Sequence, residues 1–232
     1  MLEIKNSINW YLVKVNKSIN TIEAFKPSVV YDDIRFQYSV LLESIFSLID
    51  YVEDKKTVFN NKKLEVERKI KDEIGCEGSI ILDYMRELRN SIIHRGADVT
   101  SAACVINDRY AILAPSNVTK RSGSLIEKPN EVYLDKLLSV LDNAAKNVIK
   151  SELHRLNVLE ENNIQLINDL VISLRNQPIP YHAPDEVKMM IKENLKNTTD
   201  DEFLSQAKSI YNYSQINLMK SLEVRMNVQY LR

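Results

Sequence analysis

Apolar residues recur at intervals of three and four along most of the chain, which is the spacing of amphipathic helices. The pattern is clearest from Asp32 to Asp54 and predicts a core helix there, with the buried face Ile34, Tyr38, Leu41, Leu42, Ile45, Leu48, Ile49 and Val52. Asp32 and Asp33 suit the start of that helix, since carboxylates favour helix N-termini. The same spacing predicts further helices over residues 8–25, 61–74, 79–96, 131–160, 163–175, 185–196 and 199–230.

Two segments interrupt the helical spacing. The stretch AACVINDRYAILAP, residues 102–115, contains β-branched and aromatic residues around Asn107-Asp108 and predicts a short β-hairpin near 102–114. The polar stretch that follows, 116–130, is predicted to be a loop. Prolines in QPIPYHAP, residues 177–184, predict a boundary between a helical domain, 1–176, and a C-terminal helical extension, 177–232. The predicted fold class is therefore all-α, a helical bundle with a small hairpin insertion and a C-terminal helical extension.

Composition narrows the function classes. Glycine (4) and proline (6) are scarce, which agrees with a helical fold. The net charge of −1 excludes a broadly basic surface for binding nucleic acid, but it does not exclude a small local anion site. Two cysteines without a pairing pattern and no signal-peptide segment predict a cytoplasmic protein. No apolar run approaches the roughly 20 residues that a membrane span needs, so no membrane partner is expected.

The predicted helix at 79–96 ends in the unusual string RNSIIHRG, which holds two arginines and one of only three histidines. At 100° per residue, one face is apolar and is predicted to be buried: Ile81, Tyr84, Met85, Leu88 and Ile92. The opposite face is polar: Asp83, Glu87, Asn90 and His94. A third stripe mixes apolar residues with arginines, as protein interfaces do, and is predicted to meet a partner: Leu82, Arg86, Arg89 and Ile93.

Arg89 and His94 are five residues apart and therefore point about 140° away from each other on one helix. A single helix cannot easily aim both side chains at one small group. Two antiparallel copies that meet across the Arg89/Ile93 stripe would bring two arginines and two histidines into one cleft. The spacing thus favours a homodimer with a shared site.

The string Arg89-Asn90-Ser91-Ile92-Ile93-His94 resembles the R-(polar)-x-x-x-H signature of the HEPN superfamily, and LRNSIIHRG is similar to the form found in prokaryotic toxin, abortive-infection and anti-phage members. The resemblance covers mainly the first 150 or so residues. It implies a helical, dimeric ribonuclease that cleaves RNA without a metal ion. It also implies that Arg89, Asn90 and His94 are catalytic.

The residue types suit that chemistry. Histidine titrates near neutrality and can act as general base or acid, while arginine can hold phosphate oxygens with its two-pronged guanidinium. Asn90 can orient the imidazole or donate to phosphate, and Arg86, Arg95 and Glu87 are secondary candidates for substrate binding. No cofactor or metal is expected, since His154 and His182 lack clustered ligands. RNA is the expected substrate.

Two other interpretations stay open at this stage. Basic residues at a helix C-terminus complement the helix dipole without any function. The second interpretation is a non-catalytic helical module that uses the same fold to dimerise or to bind a partner protein.

If the protein is a toxin or phage-defence effector, as the resemblance implies, its expected regulatory partner is a cognate antitoxin, or an ATPase or nucleotidyltransferase.

Overall fold

The computed structural model describes residues 2–26, 31–54, 65–160 and 163–231. These residues form the helices α1 (Leu2–Glu23), α2 (Tyr31–Asp54), α3 (Glu65–Ile74), α4 (Gly78–Arg95), α5 (Leu134–Arg155), α6 (Ile164–Arg175), α7 (Asp185–Asn197) and α8 (Asp200–Glu223). The strands β1 (Ala103–Ile106) and β2 (Arg109–Ile112) form one antiparallel pair. The predicted all-α fold with a small hairpin is confirmed. The predicted start of the third helix, 61–64, lies outside the described residues.

One hydrophobic core joins seven of these helices. α1 packs along α2, α3 packs on α5, and α4 packs on both α2 and α3. The predicted face of α2 is fully buried, from Ile34 to Val52. The first helix begins at Leu2, six residues before its predicted start, because Ile4 also contributes to the core. This packing places α4 at the side of the bundle with its polar face outward.

The hairpin turn has the predicted residues. Asn107 and Asp108 have φ values of 50° and 58°, which are the left-handed conformations that a tight two-residue hairpin turn requires. The hairpin is fastened to the bundle by Asp135, whose carboxylate accepts from the Tyr38 hydroxyl and, at 3.0 Å, from the Ile112 N–H. Burial raises the pKa of Asp135 to about 6.

Helix α5 is shorter than predicted at both ends: the sequence predicts a helix over residues 131–160, and the structure has it from Leu134 to Arg155. The Glu131 carboxylate accepts from the N–H groups of Val132 and Tyr133 at 2.8 and 3.0 Å. Val132 in turn accepts from the Ala114 N–H, which follows the hairpin. Residues 131–133 thus bond to the hairpin end and do not join the helix.

The C-terminal segment contributes to the same core. α8 packs on α6 and α1, and its apolar side chains Ala207, Tyr211, Leu218 and Leu222 are buried. α7, in contrast, has no buried side chain.

The last predicted helix, 199–230, ends at Glu223. The wholly buried Lys146 ammonium donates to Asp142, Asn16 and the Val224 carbonyl at 2.7, 3.0 and 2.9 Å. Val224 is extended, and its carbonyl therefore serves the lysine instead of a further helical turn. A long-range contact ends the helix.

Candidate functional site

Helix α4 ends where the RNSIIHRG string predicts. Gly96 has a φ of +66°, and the N–H groups of Gly96 and Ala97 both bond to the Ser91 carbonyl. This is the left-handed glycine stop that closes many helices. Arg35 of α2 donates to the Gly96 carbonyl at 2.9 Å. The helix end that carries His94 is therefore held from two sides.

His94 projects from the last turn of α4 into an open cavity of about 720 Å³. Asn90 and Glu87, one and two turns earlier on the same face, line the cavity with it, as does Arg95. His94 is exposed, and no hydrogen bond or ion pair engages its imidazole within the described part of the chain. The imidazole is thus free to meet a ligand.

The rest of the cavity lining comes from a loop that we call the basic loop, residues 118–126. It contributes Thr119, Lys120, Arg121 and Gly123. The predicted loop at 116–130 is observed, and it closes on itself through the bonds Lys120 N–H to Ser124 C=O at 2.8 Å and Ile126 N–H to Val118 C=O at 3.0 Å. Two segments separated by about 30 residues in sequence therefore line one cavity.

Arg95 joins these two segments. Its guanidinium donates to the Thr119 carbonyl of the basic loop and to the Ser91 hydroxyl of its own helix. It also lies 3.8 Å from a Glu87 carboxylate oxygen. Arg95, a predicted candidate for substrate binding, therefore also links α4 to the basic loop through its hydrogen bonds.

Arg89 points to the other side of α4. One guanidinium nitrogen lies 3.3 Å from an Asp50 carboxylate oxygen on α2, and the guanidinium carbon lies 5.2 Å from the centre of the Phe46 ring. Its Nε and Nη2 donate to Asn90 Oδ1 at 3.4 and 3.2 Å. Arg89 does not line the His94 cavity and reaches it only through Asn90, which agrees with the divergence that the helical spacing predicts.

Arg86 lies beside Arg89 in a network of charges between α2, α3 and α4. It pairs with Glu67 and, at 3.9 Å, with Asp50, and it faces the same Phe46 ring at 5.4 Å. Arg86 therefore contacts its own chain and does not line the cavity. Its candidacy for substrate binding at the His94 cavity has no support from these contacts.

A buried carboxyl lies in this network. Glu53 is 5% exposed and accepts from the Glu67 N–H at 3.2 Å. Burial raises its pKa to about 7, and the neighbouring carboxylates Glu67 and Asp50 act in the same direction, while Arg86 opposes them. A carboxyl with this pKa takes up a proton near neutral pH, within the charge network of Arg86.

The predicted interface stripe is wrong at one position. Leu82 is 1% exposed and belongs to the core, because α3 and α2 close over that part of α4. Ile93 is 43% exposed, as the stripe requires. The outward surface is therefore confined to the last turns of α4.

The sequence pattern located the motif of α4, but it did not predict which residues contact the motif side chains. Asp50 and Phe46 lie one turn apart on α2, on the edge of its apolar face, and nothing local marks them as neighbours of Arg89. Lys120 and Arg121 are adjacent basic residues in the predicted loop, but nothing in the sequence places that loop against His94.

Among the described residues, no three histidine, cysteine, aspartate or glutamate side chains are close enough together to hold a metal ion. Nor does any helix in the described ranges have the length and apolar character needed to cross a membrane. Comparisons with protein-family models, curated proteins and solved structures found no significant match.

Proposed function

We propose that the protein is a HEPN-type endoribonuclease that cleaves RNA without a metal ion. The observation that carries the proposal is the position of His94 and Asn90, side by side at a fixed helix end and open to a cavity with cationic walls. An exposed imidazole beside Lys120, Arg121 and Arg95, with no partner among the described residues, suits chemistry at a phosphate. The resemblance of the R-N-x-x-x-H string supplies the reaction class.

In the proposed reaction the ribose 2′-hydroxyl attacks the adjacent phosphorus, and the bond from phosphorus to the 5′-oxygen breaks. The base, His94, takes the 2′-hydroxyl proton, and a general acid returns a proton to the leaving 5′-oxygen. The products are a 2′,3′-cyclic phosphate and a 5′-hydroxyl. Arg89 would neutralise the charge that develops on the phosphate oxygens, and Asn90 would orient the groups between them.

The divergence of Arg89 and His94 supports a second element of the proposal, a homodimer with a composite site. Each chain would then present its histidine to the arginine of the other, and the two histidines would serve as base and acid. Ile93, exposed between them, supplies the apolar centre that such an interface needs.

The similarity of LRNSIIHRG to toxin and phage-defence proteins supports a cellular role as such an effector. A cognate antitoxin, or an ATPase or nucleotidyltransferase, would then restrain the activity.

The test is a cleavage assay on mixed-sequence single-stranded RNA, with and without excess EDTA, followed by mapping of the ends. We expect cleavage to persist in EDTA, to leave cyclic phosphate ends, and to stop at a nucleotide whose 2′-hydroxyl is replaced by hydrogen. His94→Ala should lower the rate about 10²–10⁴-fold, the typical effect of one general acid–base group. His182→Ala, which removes another exposed histidine, is the matched control.

Two results would overturn the assignment. One is full activity of His94→Ala, which would remove the catalytic role of that histidine. The other is metal-dependent cleavage that leaves 5′-phosphates, because the 2′-hydroxyl would then not be the nucleophile. Absence of cleavage from a folded dimer would favour the non-catalytic interaction module.

A further inference from the structure

The basic loop has a defined conformation that its own hydrogen bonds and a buried side chain hold in place. Its tip turns through a Gly123 N–H to Lys120 C=O bond of 2.9 Å, and Gly123 has a φ of +86°, which side-chain-bearing residues rarely adopt. Val118, at its base, is buried in the core. These bonds give the tip a defined direction.

The loop is also fixed relative to His94. Arg95, the residue next to His94, donates to the Thr119 carbonyl and so holds the start of the loop against α4. Lys120 and Arg121 follow at once and line the same cavity as Asn90 and His94. The basic loop and the end of α4 are therefore joined by a direct bond beside the cavity.

The cavity has a positive balance of charge. Lys120, Arg121 and Arg95 line it, against the single carboxylate Glu87, which already lies 3.8 Å from Arg95. Within the described residues, neither Lys120 nor Arg121 takes part in an ion pair or side-chain hydrogen bond. Two unneutralised cations on a fixed loop form a receptor for anionic groups.

We infer that the basic loop is a substrate clamp: Lys120 and Arg121 hold backbone phosphates of a single RNA strand that runs between the loop and the end of α4. The inference rests on the proposed function, since it takes His94 as the reacting wall. A strand is favoured over a small anion because the cavity is open and about 720 Å³ in volume. Lys120 and Arg121 are positioning residues, which bind flanking phosphates and leave the chemistry to α4.

The experiment measures binding and cleavage separately. The binding probe is a fluorescent single-stranded RNA whose 2′-hydroxyls are all methylated, so that it cannot be cut. The fluorescence anisotropy of the probe gives Kd at salt concentrations between about 50 and 300 mM, because phosphate contacts make the affinity fall as salt rises. The variant Lys120→Ala/Arg121→Ala should lower the slope of log Kd against log salt by about 1.4, since each contact to single strands contributes about 0.7. Its Kd at 0.1 M salt should rise roughly 10- to 30-fold for the same reason.

Two controls separate this role from general charge and from folding. Lys192→Ala/Lys196→Ala removes two exposed positive charges from α7 and should leave Kd and slope unchanged. The exchange Lys120→Arg/Arg121→Lys keeps both charges and should restore most of the binding. In cleavage of unmodified RNA, the double alanine variant should raise KM and leave kcat within about threefold, because positioning by distant phosphates is shared by ground and transition states.

An unchanged slope and Kd in the double alanine variant would overturn the clamp, and so would equal loss in the α7 control. Binding that depends on Lys120 and Arg121 in a protein that cuts no RNA would support the clamp and remove the proposed ribonuclease activity. Cleavage by the double alanine variant with unchanged kcat and unchanged KM would support the ribonuclease activity and overturn the clamp.

Discussion

Asn90 connects the two divergent residues of the motif. Its side-chain oxygen accepts from Arg89 at 3.2 Å, while the same side chain lines the cavity that holds His94. Arg89 itself is held by Asp50 and by the Phe46 ring. In the proposed reaction a phosphate would therefore compete with a carboxylate for Arg89, whereas His94 has no competing partner within the described residues.

The titration of Glu53 leads to a prediction at the residue scale. Its pKa is raised to about 7, so the folded protein keeps a proton that the unfolded chain releases near pH 4.5. The contribution to stability is complete below about pH 4.5 and is lost as pH rises through about 7. Glu53→Gln mimics the protonated form, and we expect it to be about 3 kcal/mol more stable than the parent at pH 8, with little difference at pH 4.5.

Urea unfolding at the two pH values measures this effect. Glu43→Gln, an exposed change on the same helix, is the control and should alter stability little at either pH. Asp135, whose pKa is also raised, is present in every variant and cancels from the comparison. A Glu53→Gln protein less stable than the parent at pH 8 would contradict the buried, protonated carboxyl.

At the scale of the element, the end of α4 matters most, because it fixes where His94 stands. The Gly96 stop, the Arg35 bond to its carbonyl and the Arg95 link to the basic loop all act within the last turn and the residue after it. Helix ends normally fray, since their last carbonyl groups lack partners within the helix. Here the Ser91 carbonyl accepts from the N–H groups of Gly96 and Ala97, α2 bonds the Gly96 carbonyl through Arg35, and Arg95 bonds the basic loop. The backbone that carries His94 is therefore fixed by its own glycine stop and by contacts to α2 and the basic loop.

Gly96 gives a prediction at this scale. Its φ of +66° costs a side-chain-bearing residue about 1–2 kcal/mol, while the space around a new Cβ is free of contacts closer than 4.0 Å. Gly96→Ala should therefore lower the free energy of unfolding by about that amount through backbone strain alone. Gly96→Asn should lose less, because asparagine tolerates the left-handed region. Thermal melts of the two variants check the order, and an alanine variant as stable as the parent would contradict the left-handed stop.

At the scale of the whole molecule, the described residues form one core that every helix except α7 joins, and the charged network lies between α2, α3 and α4. Beside the motif, Ile93 of the α4 stripe is 43% exposed. The proposed dimer would use this surface, because contact there would bring Arg89 of one chain near His94 of the other.

The dimer is tested by light scattering at micromolar concentration. We expect twice 26.8 kDa for the parent protein. Ile93→Glu should give the monomer mass with an unchanged melting profile, because a half-exposed side chain contributes little to the core and a buried charge at an interface is costly. Val105→Glu, a change of similar exposure on the hairpin, is the control and should leave the mass at that of the dimer. A parent protein that runs as a monomer would contradict the shared site.

The sequence by itself determined the helices, the hairpin and the position of the motif at a helix end. These features depend on local periodicity and on backbone preferences, such as the left-handed Asn107, Asp108 and Gly96, which neighbouring residues specify. The tertiary structure alone decided that the basic loop faces His94, that Asp50 and Phe46 hold Arg89, and that Leu82 is buried. It also made α5 begin late, through the hairpin contact of Val132, and made α8 end early, through the Lys146 bond to Val224. Each of these joins groups that are distant in the chain, and a contact that depends on how the helices pack leaves no signal in the spacing of nearby residues.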